Sequence, residues 1–208
     1  MTLNAQEFEK RSEDFFVATY LTSVGVIQSI SLGVLAAKVY TVPFSLQFIA
    51  QALASFFAIV IVANEYSWWV LLIRRTPGVF DYLIPYSLGA AELGVMAKVD
   101  NTEGIWFLTA GILAIVGVGS LAHNRRYATE ELFVECPWLH LRVRRNLLKG
   151  TVLVACAAVV MFGSWLSYEH IGHYPKVVIF CVLYVVQVAI LIMTTVFMKR
   201  VRERFESE

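Results

Sequence analysis

The sequence predicts an all-α polytopic membrane protein, a six-transmembrane-helix bundle with both termini cytoplasmic, and three observations predict it. First, the 208-residue chain is 58% hydrophobic and only 16% charged, with a mean hydropathy of +0.66. Soluble domains carry roughly 45–50% apolar and about 25% charged residues. Second, the apolar residues gather into six runs of about 20 residues, the length that crosses a hydrocarbon core roughly 30 Å thick. Third, the basic residues between the runs fall almost entirely on one side. Lys10 and Arg11, Arg74 and Arg75, the six from Arg125 to Lys149 and the four from Lys199 to Arg204 make 14 of the 17 Lys and Arg residues. The other side carries Lys38, Lys98 and Lys176. Under the positive-inside rule the basic side is cytoplasmic.

Each element follows in order. Residues 1–14 are mixed in charge and net acidic, and with Leu3 and Phe8 on one side they read as a short interfacial helix. The run behind them lacks a small-residue cleavage site, so it reads as a retained span, at about 15–37, rather than a signal peptide. The second span, 44–73, begins after Pro43 and exceeds the bilayer thickness, which places Trp68 and Trp69 at the headgroup level or tilts the helix. In the turn Arg74-Arg75-Thr76-Pro77, Thr76 suits an N-cap and Pro77 a first helical position. The third span is 78–99, followed by the polar turn Asp100 to Gly104. The fourth is 105–122. A basic stretch from His123 to Lys149 leads to the fifth, 150–168. The loop Glu169 to Tyr174 precedes the sixth, 175–198, and residues 200–208 form a cytoplasmic tail. Six spans leave no room for a separate soluble domain, and no repeat relates the first three spans to the last three.

Several function classes are disfavoured. A net charge of +1 carries no nucleic-acid signal. Cys136, Cys156 and Cys181 are odd in number and far apart, which suits neither a disulfide framework nor a zinc site. There is no His-Glu-x-x-His, Gly-x-Ser-x-Gly or Walker A run. Gly117-Val118-Gly119-Ser120 has the outline of a serine-nucleophile turn, but no histidine inside a span is available as its base. For the same reason a bis-histidine haem carrier is disfavoured. His170 and His173, with Glu169, fall in one short outer loop and read as solvated residues. No cofactor or metal is expected.

The residues that stand out are polar groups inside apolar runs. An ionisable group at the centre of a span costs on the order of 2.5–3.5 kcal/mol on insertion scales, so it faces protein or water. Glu92 lies near the middle of the third span, and Asp81, 11 residues earlier, returns to within about 20° of the same helical face. Pro85 lies between them. In the second span Gln47, Gln51, Ser55 and Glu65 share another face. The turn between these spans brings them together, and their polar faces are expected to line one wall of a hydrated cavity. Gln187 and Thr194 of the sixth span are candidates to join it. The structural alternatives are a helix-terminal role for Asp81, pairing of Glu65 with Arg74 or Arg75, and interhelical hydrogen bonds for the amides.

Two further patterns concern partners. Gly25, Ser29, Gly33 and Ala37 recur every fourth residue, a row that permits close helix approach within the chain or between subunits of a homo-oligomer. Arg142, Arg144 and Arg145 sit among apolar residues just before the fifth span, a composition that favours anionic lipid headgroups at the cytoplasmic face. The expected function is a channel or transporter for a small cation or protons in the cell membrane. Its path would be lined by Glu92, Asp81, Glu65, Gln51 and Gln47. The alternatives are a non-catalytic scaffolding membrane protein, or a membrane enzyme or lipid-substrate binder with Glu92 and Asp81 as acid and base.

Overall fold

The computed structural model describes residues 5–72, 79–100, 104–128, 137–168, 170 and 173–206. Among them the chain is all-helical, with α1 Ala5–Thr41, α2 Leu46–Leu72, α3 Val79–Ala97, α4 Ile105–Tyr127, α5 Pro137–Leu166 and α6 His173–Phe205. All but α3 are long and apolar enough to cross a membrane, and α3 carries the shorter apolar stretch Leu83–Ala97. The expectations for Leu3, for Thr76 and Pro77, for Arg74 and Arg75, for Cys136 and for Glu169 lie outside the described residues.

The helices outrun the apolar runs that predict them. The fourth does not stop at 122 but continues to Tyr127, and the stretch expected as a connection before 150 is helical from Pro137. The sixth continues to Phe205. Hydropathy marks where the chain leaves an apolar surrounding, whereas a helix ends where its backbone hydrogen bonds end. Residues 5–14 extend α1 without a break.

The helices form a closed ring. Neighbours run α1, α3, α4, α5, α6, α2 and back to α1, with α2 touching α3 only lightly. The outer surface is apolar: Val26, Phe56, Ile115, Val159, Val185 and Ile192 are all exposed. Large aliphatic side chains around the whole circumference are what lipid tails accept and water does not. One end of the ring is closed by packed rings, with Trp106 5.5 Å from Phe180 and Phe107 5.6 Å from Phe180 between centroids. At the other end Trp69 and Phe197 lie 6.0 Å apart, tilted by 33°, in a cluster with Leu139, Val143 and Leu147.

One expectation is corrected here. Trp69 is buried within the bundle, where its indole N–H donates to Glu65 at 2.7 Å. Gly25, Ser29, Gly33 and Ala37 do not mediate packing within the chain. All four are exposed on the outer face of α1, and a Cβ added at Gly25 or Gly33 would meet nothing within 4 Å. The close approach of α1 uses another glycine: a Cβ at Gly89 of α3 would lie 2.6 Å from Ile27 Cγ2.

Candidate functional site

The ring encloses a cavity of about 130 Å³ bounded by α2, α3, α4, α5 and α6. Its wall is mostly apolar and rich in small residues, among them Ala58, Ala110, Ala114, Gly117 and Gly150. Small side chains leave the axis open where larger ones would fill it. Trp106 bounds one end, its indole N–H donating to Ser55 at 3.2 Å. Glu65 and Tyr66 lie 11 and 12 residues along α2 from Ala54, which puts them about 16–18 Å away at the helical rise. Glu65 accepts from Trp69 Nε1 at 2.7 Å and from the Thr194 hydroxyl of α6. Among the described residues its partners are therefore neutral donors. Gln187 lies on the same α6 face, donating through Nε2 to the Ala54 carbonyl at 2.9 Å.

Glu92 is fully buried and turned away from this cavity, towards α1. Gln28 Nε2 donates to both of its carboxylate oxygens at 3.1 Å, and Ser31 Oγ donates to Oε2 at 3.3 Å. Each of these donors is neutral. Gln28 and Ser31 are three residues apart on α1, so one helical face presents both.

Asp81 points a third way. It is buried at the start of α3 and lies 3.0 Å from His123 Nε2 of α4. The His123 ring packs against Tyr127 at 4.8 Å. The helical phase therefore identified two inward carboxylates correctly, but α1 covers the Glu92 half of α3 and α4 covers the Asp81 half. The expected single wall from α2 and α3 is not what forms.

The structure instead stacks buried and part-buried polar groups along the seam of α1, α2, α3 and α4. At one end Lys38 meets Asp100 at 3.4 Å, and the Asp100 N–H donates to Gln51 Oε1 at 2.7 Å. Gln47 lies one turn earlier, its Nε2 3.5 Å from Tyr168 OH. The next level is Gln28, Ser31 and Glu92. Below it lie the buried Tyr66 and Ser120, whose hydroxyls have no hydrogen-bond partner among the described residues. Tyr66 also bounds a small gap beside Gln28, Pro85 and Gly89. Ser120 is three residues from His123 on α4, which completes the line to Asp81.

Sequence reasoning missed Gln28, Ser31, Tyr66 and His123. Gln28 and Ser31 are visible as polar residues at i, i+3 in an apolar run, beside the more regular row of small residues. His123 follows the apolar run that ends at 122, so hydropathy alone places it in the connection. Of the basic residues expected at lipid, Arg142 and Arg145 line a groove between α5 and α6, whereas Arg144 is exposed elsewhere on α5. His170 is exposed, and the side chain of His173 lies outside the described residues. Among the described residues no three His, Cys, Asp or Glu side chains come together to hold a metal. Comparison with family models, with curated proteins and with solved structures gives no match.

Proposed function

We propose that this chain is a six-span integral membrane protein of the cell membrane, with both termini cytoplasmic, that moves protons across the bilayer. The orientation rests on the distribution of 14 of 17 basic residues to one side. Within it α3 is the remaining span, with the shorter apolar stretch Leu83–Ala97 and with Asp81 at its inner end held against His123.

The observation that carries the functional reading is the series of polar groups from the part-exposed Asp100 past the buried Glu92 and Tyr66 to the part-buried His123 and the buried Asp81. Carboxylate, phenol, hydroxyl and imidazole groups can each take up or hand on a proton. Among the described residues Glu92 is held only by the neutral donors Gln28 and Ser31, so binding one proton changes the charge of that cluster by one without breaking an ion pair. Intramembrane carboxylates in such chains mark proton relays and ion pathways. A metal cation fits less well, because it needs a shell of oxygen ligands and the axial cavity is lined mainly by carbon. A proton passes between neighbouring groups and needs no open pore.

The test is reconstitution into liposomes that entrap a pH-sensitive dye, with a potential imposed by a potassium gradient and valinomycin. Proton entry above that of protein-free vesicles is the expected result. A flux that needs external sodium and leaves the internal pH unchanged would transfer the reading to a cation path, and no flux of either kind would reject transport.

A second reading draws on the axial cavity. Apolar walls with Glu65 at one end suit an amphipathic molecule bearing a hydrogen-bond donor or an amine. Extraction of purified protein with organic solvent would release such a molecule in stoichiometric amount, and a clean extract would remove this reading.

A further inference from the structure

We infer that the groove between the inner ends of α5 and α6 is a binding site for an anionic phospholipid whose headgroup carries a phosphomonoester. The groove has a volume of about 630 Å³. Arg142, Arg145 and Lys149 line it from α5, and Arg200 lines it from α6. Of these, Arg145, Lys149 and Arg200 have no ion-pair partner among the described residues, and Arg142 rests over the Trp138 ring at 5.6 Å. No acidic side chain is among the described residues that line it. The acids near the end of α6 are engaged, Glu203 with Lys199 at 3.7 Å and Glu206 with Arg202 at 2.7 Å. Among the described residues the positive charge of the groove is thus uncompensated.

A second observation points to a ligand. Asn146 lines the groove, is 8% exposed, and its Nδ2 has no hydrogen-bond partner among the described residues. A buried amide N–H₂ without a partner costs about 1–3 kcal/mol, and a phosphate oxygen in the groove would satisfy it. Guanidinium groups bind the same oxygens in bidentate fashion. The remaining wall chooses the source of the phosphate. Ile192 and Val196 continue from the basic end along the outer, lipid-facing side of α6, 57% and 41% exposed. A headgroup at Arg145 and Arg200 would lay its acyl chain along them. Free phosphate would leave that wall unused. Basic pockets between helices on the cytoplasmic side are where such lipids dock, and this placement in the inner leaflet rests on the orientation proposed above. Binding itself does not.

The experiment is native mass spectrometry of the full chain in detergent, titrated with dioleoyl phosphatidic acid or dioleoyl phosphatidylcholine. Phosphatidic acid adducts should dominate, and R145A with R200A should reduce them about tenfold. R142Q with K149Q, which keeps side-chain length, should give a similar loss in a chain with an unchanged melting curve. R144A should behave as the unaltered protein, because Arg144 is exposed outside the groove. Equal adducts of the two lipids would overturn the assignment. So would an R144A loss as large as that of the double variants, or complete displacement of the lipid by millimolar inorganic phosphate.

Discussion

At the scale of single residues, the chain solves the problem of a carboxylate inside an apolar bundle by surrounding it with neutral donors. Glu92 has Gln28 and Ser31; Glu65 has Trp69 and Thr194. Hydrogen bonds to a charged group contribute about 1.5–3 kcal/mol each. Gln28→Leu should therefore lower the stability of the purified protein by about 2 kcal/mol. Val26→Leu, on the exposed face of the same helix, should leave it unchanged. Thermal unfolding in detergent reads both, and equal melting points would show that Gln28 does not hold Glu92. Sequence periodicity was enough to find these carboxylates, because the cost of charge in lipid leaves them only an inward direction. Their partners were not legible. Ideal helical phase puts Asp81 and Glu92 on one face, yet which neighbour covers each half of α3 is set by the order of helices around the ring, and no local pattern encodes that order.

At the scale of elements, packing depends on where glycine lets two helices meet. Gly89→Ala places a methyl 2.6 Å from Ile27 Cγ2 and must push α1 and α3 apart. Overpacking of this kind costs about 1–3 kcal/mol. Gly33→Ala, in open space on the outer face, should be neutral or slightly stabilising. A melting point lowered by Gly33→Ala and untouched by Gly89→Ala would reverse this account of the α1–α3 contact. Gly104, before α4, is a separate case. Its φ of +77° suits glycine, and a Cβ would also meet the Tyr168 ring at 2.6 Å. Gly104→Ala should cost at least about 1 kcal/mol. The spacing of small residues in α1 predicts a surface for close approach, but no helix of this chain packs on that row among the described residues. The apolar runs located all six helices and missed their ends, since the last turns of α4 and the first of α5 are helical while polar.

At the scale of the whole molecule, the ring separates two compartments, an apolar axial cavity and a polar seam beside it. The orientation of that ring is open to direct measurement. In a chain with its native cysteines replaced, Asn101→Cys should react with an impermeant maleimide on intact cells. Glu206→Cys, exposed near the end of the chain, should react only after permeabilisation. The opposite pattern would invert the topology. The proton reading itself turns on Glu92, the fully buried carboxylate of the seam. Glu92→Gln keeps the shape and can still accept from Gln28 and Ser31 through its amide oxygen, so the protein should fold, but it can no longer carry the proton. The decisive measurement is dye-reported proton flux in proteoliposomes of equal protein content, unaltered chain against Glu92→Gln. The account predicts a fall of roughly a hundredfold, the scale of losing a proton-transfer group, with helicity and melting behaviour retained. Undiminished flux from folded Glu92→Gln protein would contradict it.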